Sequence, residues 1–245
     1  MEIRTFGVGG RIAGCERLLY ERLLPYSGRL VLLPIPTSRD KKYITGTAVS
    51  IEEISALIEP GTIVVGYEIT HTLASFCDER SAFIYDAALD EDFLSANAEL
   101  TARGAIGYLI THTDRDLADM RVGVVGYGRI GSRLINLLLL FGAKVVVYTR
   151  RPLLALELCE NGISALTPDR WDFSGIDLLI NTAPARQVDE DSLPPDLDII
   201  DLASGSIFPP SAGLVKLPSI PEQMFPISAG RLYAEAALRA LEGRL

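Results

Sequence analysis

A glycine-rich segment near the middle of the chain offers the clearest chemistry. Gly126-Tyr-Gly128-Arg-Ile-Gly131 follows a β-branched run and precedes an apolar stretch with helical spacing. The first glycine permits a tight turn, the second lets a pyrophosphate approach the backbone, and the third lets the helix pack close to the strand. Free N–H groups at the helix N-terminus favour phosphate. The segment, with Arg129 and Ile130 between its glycines, therefore predicts a dinucleotide site; the alternative is a turn of this shape that no longer binds.

The end of the next predicted strand selects between the two nicotinamide nucleotides. Tyr148 is followed by Thr149, Arg150 and Arg151, where NAD enzymes usually carry an acidic residue that binds the ribose hydroxyls. Guanidinium groups match a 2′-phosphate in charge and geometry. The pattern predicts NADP as the cofactor, with NAD as the alternative if the two arginines only begin the next helix in solvent.

Two later strands also end in polar residues. Asn181-Thr182-Ala183-Pro184 ends one strand, and Asp201-Leu202-Ala203-Ser204 ends another. Ligands of parallel α/β sheets bind at the carboxyl ends of strands. We therefore predict that residues 181–184 with Leu202 and Ala203 contact the cofactor and that Ser204 contacts the substrate, although each segment could serve only as a turn or a helix cap.

Composition narrows the class of protein. The chain has 245 residues, of which 48% are hydrophobic and 22% are charged, so it can bury a core in one large domain or two small ones. A net charge of −9 argues against a nucleic-acid partner. Three scattered cysteines and two histidines argue against a disulfide framework and a metal site. With no apolar signal region and no apolar run of membrane-spanning length, we expect a cytoplasmic protein without membrane contact.

Short β-branched runs alternate with helical stretches, which predicts an α/β fold of two Rossmann-like parallel-sheet domains. We place an N-terminal flavodoxin-like or Rossmann-like substrate-side domain at 1–95, completed by a C-terminal crossing helix at 228–245. A linker helix occupies 96–118, and the NAD(P)-binding domain occupies 119–227. Ser50 and Glu53 form a capping-box pattern before a short helix.

The linker helix, predicted over residues 96–111, carries the candidate catalytic groups. Asn97, Thr101 and His112 share one helical face, and the first two are placed near the N-terminal end, where free N–H groups favour an anion. We assign these three to catalysis, and Arg103 and Arg11 to a substrate carboxylate. The alternatives are that Asn97 only caps the helix, that His112 is structural, and that Arg11 is a surface arginine.

Several separated segments resemble the family of dipicolinate synthase A subunits. They are Gly9-Gly10, GAIGYLITHTDR from Gly104, GVVGYGRIG from Gly123, Asn181–Pro184, Asp201–Ser204 and the Pro-rich approach from Pro218 to Gly230. The resemblance implies a sporulation enzyme that oxidises dihydrodipicolinate with a nicotinamide cofactor and works with a flavoprotein-like second subunit. It extends over residues 97–245 and implies nothing about substrate residues in 1–95, so a related small carboxylate remains an alternative substrate.

Two other interpretations stay open. The chain more distantly resembles D-2-hydroxyacid dehydrogenases, which use an Arg, a Glu and a late His, but no histidine follows Leu202 here. It could also be a nucleotide-binding subunit that is inactive without its partner.

The helix after Gly128 is apolar on almost all of its surface. This predicts burial on both sides, either by neighbouring helices or in a homodimer.

Overall fold

The computed structural model describes residues 2–7, 9–22, 28–184, 188, 193–203 and 213–242. Strands and helices alternate along most of the chain. In order they are β1 (Glu2–Thr5), α1 (Gly10–Arg22), β2 (Arg29–Leu32), α2 (Ile51–Ser55), β3 (Ile63–Gly66), α3 (His71–Glu79), β4 (Phe83–Asp86), α4 (Glu91–His112), β5 (Arg121–Val125), α5 (Arg129–Leu140), β6 (Lys144–Tyr148), α6 (Pro152–Glu160), β7 (Ser164–Leu166), β8 (Leu178–Asn181), β9 (Asp198–Asp201), β10 (Leu214–Lys216), α7 (Ile220–Met224) and α8 (Pro226–Glu242).

The strands form two sheets. One has the order β1-β2-β3-β4 and the other the order β10-β9-β8-β5-β6-β7. Within the described residues every strand pair in these sheets is parallel. The predicted α/β class with two parallel-sheet domains is therefore confirmed.

Contacts divide the chain into two compact units. Unit 1 comprises residues 1–97 and 221–245, and unit 2 comprises residues 98–220. The sequence predicts borders at residues 95, 118 and 227, with the linker helix as a segment of its own. The contacts instead place a border inside this helix, after residue 97, so that each unit holds part of it. Among the described residues, no helix is both long and apolar enough to cross a membrane.

Unit 1 buries a core on each face of its sheet. On one face Ile3, Leu30 and Val65 pack against α1 and α8. On the other, Val31 and Val64 pack against α2 and α3. Burial on both faces explains why the central strands β2 and β3 are almost entirely apolar. The predicted capping box is confirmed, since the Ser50 hydroxyl accepts from the N–H of Glu53 and the Glu53 carboxylate accepts from the N–H of Ser50.

Helices α1 and α8 meet at two glycines. A methyl group on Gly230 would lie 2.8 Å from backbone atoms of Gly14 and Cys15. The close backbone approach leaves no room for a side chain, because the neighbouring atoms belong to a packed helix.

We expect Gly230→Val to lower the free energy of unfolding by about 2 kcal/mol, because the two helices must separate to admit the side chain. Urea unfolding followed by circular dichroism measures the change. Arg231→Val introduces the same residue at an exposed neighbouring position of α8 and is the control, with an expected loss below about 1 kcal/mol. Equal losses in the two variants would contradict the role of the close helix contact.

Helix α4 begins earlier than predicted, at Glu91 instead of residue 96. The Asp90 carboxylate caps it, accepting the N–H groups of Asp92 and Phe93 at 3.0 Å each. Asn97 and Thr101 therefore lie inside the helix, where backbone N–H groups bond to preceding carbonyls. The prediction that they sit beside free N–H groups that favour an anion is wrong.

Unit 2 also covers both faces of its sheet. The C-terminal part of α4 and helix α5 cover one face, over Val122, Val124 and Val147. Tyr148 and Phe173 belong to the core of the opposite face. This arrangement puts the loop between β5 and α5 at the carboxyl end of a central strand.

Helix α5 is buried only on one side. Leu134, Ile135 and Leu138 are fully buried, whereas Leu140 is 82% exposed. A helix lying on a sheet buries one stripe, and its last turn here leaves Leu139 and Phe141 partly exposed as well. Burial on both sides within the chain is thus wrong for this end of the helix, and the homodimer stays a prediction.

Candidate functional site

The turn after β5 requires glycine at its first position. Gly126 has φ of +95°, in the left-handed region, and a methyl group there would lie 2.9 Å from the Thr182 hydroxyl. Thr182 follows β8, the neighbouring strand, and its hydroxyl donates to the carbonyl of Val125 at 2.9 Å. The turn is therefore held in place from both sides, by its own strand and by the next one.

The third glycine brings helix α5 against this turn. A methyl group on Gly131 would lie 2.4 Å from the carbonyl oxygen of Gly126 and 2.8 Å from the Thr182 hydroxyl. Only glycine fits at such separations, so the role predicted for Gly131 in close helix packing agrees with the structure.

The second glycine faces open space. Gly128 precedes α5 as its N-cap, has no side chain to cap the helix, and a methyl group on it would meet no atom within 4 Å. The N–H groups of the first turn, which includes Arg129 and Ile130, thus have no capping side chain from Gly128. A bare helix N-terminus beside an empty space fits the diphosphate of a dinucleotide.

Arg150 and Arg151 differ in their surroundings. Arg151 donates from Nη2 to the carbonyl of Tyr127, so its guanidinium lies against the glycine turn. Its N–H is bonded to the hydroxyl of Thr149, which is 3% exposed and fixes the end of β6. Arg150 is exposed to solvent. The sequence 148–152 contains no acid, so the usual partner of the NAD ribose is absent from this strand end.

The ends of β8 and β9 are joined by a buried polar pair. Asn181 is fully buried and donates from Nδ2 to Asp201 Oδ1 at 2.8 Å and to the carbonyl of Ala183 at 3.1 Å. Asp201 Oδ1 also accepts the N–H of Ala203 at 3.1 Å. The pair holds the two segments predicted to bind the cofactor in one arrangement, with the N–H of Leu202 donating to the carbonyl of Asn181.

The structure adds positioning roles that the sequence reasoning did not assign. Thr182 fixes the glycine turn, and Asp201 anchors Asn181. Both stand in motifs that the sequence analysis singles out, but their partners lie on other strands. Pro184 is exposed at the end of its segment, and Ser204 lies outside the described residues.

Arg103 is engaged on the surface of α4. Its Nε donates to Glu99 at 2.9 Å, one turn earlier, and Glu99 also pairs with Arg133 of α5 at 3.3 Å. Exposed pairs of this kind contribute little to stability. A substrate role for Arg103 stays a prediction, as do catalytic roles for Asn97 and the buried Thr101.

His112 makes its contacts within its own helix. Its Nδ1 lies 2.8 Å from the Thr111 hydroxyl and 3.0 Å from the carbonyl of Tyr108, and its ring stacks on Tyr108 at 3.9 Å. The chain continues from His112 to the amino end of β5, whereas the glycine turn follows the carboxyl end. A catalytic role for His112 stays a prediction.

Arg11 is the exception among the predicted substrate residues, because it is buried. Its exposed fraction is 4%, so the alternative of a surface arginine is wrong. It lies in unit 1, in the first turn of α1. Within the described part of the chain, no group of three or more His, Cys, Asp or Glu residues could hold a metal ion.

Comparison with known proteins agrees with the glycine turn. Residues 107–187 match the family model of the NAD binding domain of D-isomer specific 2-hydroxyacid dehydrogenases. This segment contains β5, the turn and the strands on either side of it. The match supports a nicotinamide cofactor and an oxidoreductase function. A search of curated protein sequences finds no match to the chain.

Solved structures show that the whole fold is shared. The dipicolinate synthase A protein from Bacillus halodurans superimposes with a TM-score of 0.78 at 22% identity, covering 98% of this chain and 97% of that one. The corresponding protein of the Bacillus subtilis enzyme gives 0.77 at 19% identity, with coverages of 99% and 96%. D-lactate dehydrogenase from Escherichia coli gives 0.67 at 12% identity, with coverages of 100% and 98%. The resemblance to dipicolinate synthase A subunits is thereby confirmed for the fold.

Proposed function

We propose that the chain is an NADP-dependent oxidoreductase that transfers a hydride between a small carboxylate and the nicotinamide. The observation that carries the proposal is the Gly126–Gly131 turn, with an uncapped helix N-terminus and open space at Gly128. The match of residues 107–187 to an NAD-binding domain supports it. The substrate we propose is dihydrodipicolinate or a related compound, on the basis of the motif resemblance and the shared fold.

Each segment at the carboxyl edge of the second sheet has a proposed part. The backbone of the glycine turn and the first turn of α5 bind the pyrophosphate, and Arg150 and Arg151 bind the 2′-phosphate. Residues 181–184, with Leu202 and Ala203, bind the nicotinamide end. The bound cofactor supplies the carbon that accepts or returns the hydride.

The proposed reaction asks little of acid–base groups. A dihydropyridine dicarboxylate loses one hydride with its two electrons to the cofactor and one proton to solvent, and its ring becomes aromatic. Aromatisation supplies driving force, so the protein has chiefly to orient the ring and bind its carboxylates. This agrees with a chain that has two histidines, of which His112 bonds within its own helix.

Turnover by the isolated protein tests the proposal. We expect NADPH to form when purified protein is mixed with dihydrodipicolinate and NADP⁺, and to form more slowly with NAD⁺. NADPH absorbance measures the rate. A protein that binds NADPH but never turns over would support the alternative, in which the chain is a subunit that is inactive without a flavoprotein-like partner. Failure to bind either nucleotide would contradict the proposal itself.

The family match favours a second candidate, a dehydrogenase of 2-hydroxy acids. The same assay with D-lactate, or with pyruvate and NADPH, tests it. The sequence argues against this candidate, because no histidine follows Leu202 to serve as the late acid–base group. Oxidation of D-lactate at a rate above that of dihydrodipicolinate would reverse the order of the two candidates.

We also propose that the protein forms a homodimer in the cytoplasm. The support is the exposed apolar end of α5, where Leu140 is 82% exposed beside Leu139 and Phe141. Sedimentation velocity of the purified protein measures the state.

A further inference from the structure

Arg11 carries a charge that the described part of unit 1 does not satisfy. It lies in the first turn of α1 and is 4% exposed. Its Nε and Nη1 atoms are buried, and neither has a hydrogen-bond partner among the described residues. Buried guanidinium donors without partners are unfavourable in a protein interior, because their lost hydration is not replaced.

The groups around Arg11 come from several elements. Tyr67 follows β3, Cys15 lies on α1, Glu222 lies on α7 and Tyr233 lies on α8. Burial lowers the pKa of the guanidinium, and the negative charge of Glu222 opposes that effect. No ion pair joins Arg11 to Glu222 within the described part of unit 1, so the acid offsets the charge without satisfying the donors.

The N-terminus of helix α1 and the carboxylate of Glu222 lie in the same part of unit 1 as this guanidinium. Helix α1 has 13 residues and begins at Gly10, directly after Gly9, which has no side chain to cap it. A methyl group on Gly9 would lie 1.8 Å from Oε1 of Glu222, so the Glu222 carboxylate lies against the backbone at the start of the helix. The positive end of the helix dipole adds to the charge of Arg11 and favours an anion.

The neighbourhood is also the carboxyl edge of the first sheet. The hydroxyl of Tyr233 donates to the carbonyl of Leu33, just past β2, at 2.7 Å and lies 3.3 Å from the carbonyl of Val65 in β3. Ligands of parallel α/β sheets bind at this edge. A buried cation with two unpartnered donors and a ligand-binding edge thus coincide in unit 1.

We propose that the buried guanidinium of Arg11 binds a carboxylate of the small-molecule substrate. A carboxylate supplies acceptors for the buried Nε and Nη1 donors of Arg11. The inference rests on the proposed oxidoreductase function, for which it names a substrate-binding group.

Calorimetric titration of the whole protein with pyridine-2,6-dicarboxylate, with and without NADP⁺, tests the site. We expect Arg11→Met to weaken binding roughly 10- to 100-fold. Arg17→Met, at an exposed position of the same helix, is the control and leaves binding unchanged. NADPH affinity stays the same in both variants, so loss of the carboxylate site is distinguished from failure of the nucleotide site.

Stability separates binding from a structural role. We expect Arg11→Met to melt at the same temperature as the parent protein or higher, because it removes an uncompensated buried charge. If this variant fails to fold, Arg11→Lys, which keeps the charge, takes its place. We expect the Lys variant to bind the dicarboxylate more weakly than the parent protein does. Unchanged dicarboxylate affinity in the Met or Lys variant overturns the proposal. A parent protein that binds NADPH but no dicarboxylate also overturns it. So does a parent protein that binds inorganic phosphate as tightly as the dicarboxylate.

Discussion

Gly128→Val is expected to abolish nucleotide binding and leave the fold intact. A methyl group at Gly128 meets no protein atom within 4 Å, and its φ of −96° is accessible to any residue, so the apo protein tolerates the side chain. The same open space is where the pyrophosphate approaches the backbone, and valine fills it. We expect affinity for NADPH to fall at least roughly 100-fold, measured by fluorescence titration.

Stability measurements complete this test. Loss of glycine at an N-cap costs up to about 1 kcal/mol, so the Gly128→Val protein should unfold close to the parent. Gly131→Val is the matched comparison, because its side chain would meet the Gly126 carbonyl at 2.4 Å. We expect it to destabilise unit 2 by about 2 kcal/mol or more. Unchanged NADPH affinity in Gly128→Val would show that the turn is not the nucleotide site.

Arg150→Ala is expected to weaken NADPH binding roughly 10- to 100-fold while changing NADH affinity less than about threefold. Arg150 is exposed and residues 148–152 contain no acid, so its charge can interact with a 2′-phosphate, which NADH lacks. Parallel titrations with the two nucleotides measure the selectivity. Arg170→Ala, at another exposed arginine of unit 2, is the control.

Arg151→Ala should behave differently from Arg150→Ala. The Arg151 guanidinium donates to the carbonyl of Tyr127 within the glycine turn, so its loss also loosens the turn that both nucleotides share. We expect weaker binding of NADPH and NADH together, with a smaller change in selectivity. Equal losses of the two nucleotides in Arg150→Ala would instead show that the arginines do not recognise the 2′-phosphate.

The sequence by itself determined the features that depend on local chemistry. The glycine turn is predictable because its three glycines stand at fixed spacing between a β-branched run and a helical stretch. The capping box is predictable because Ser50 and Glu53 satisfy each other's N–H groups. Parallel strands buried on both faces give the apolar runs that identified the two sheets. The short strands β7 and β10, of three residues each, lack that pattern and exist only by pairing with β6 and β9.

Tertiary structure decided what depends on distant segments. Asp90, which caps α4 through the nearby N–H groups of Asp92 and Phe93, also forms an ion pair with Arg239 of α8, far along the chain. Asp201 became an anchor only because β9 pairs beside β8 and brings its carboxylate to Asn181. The burial of Arg11 likewise depends on α8, which returns to unit 1 and packs against α1 at Gly230. Local spacing carries no information about such contacts, because they are formed by packing between segments that are remote in sequence.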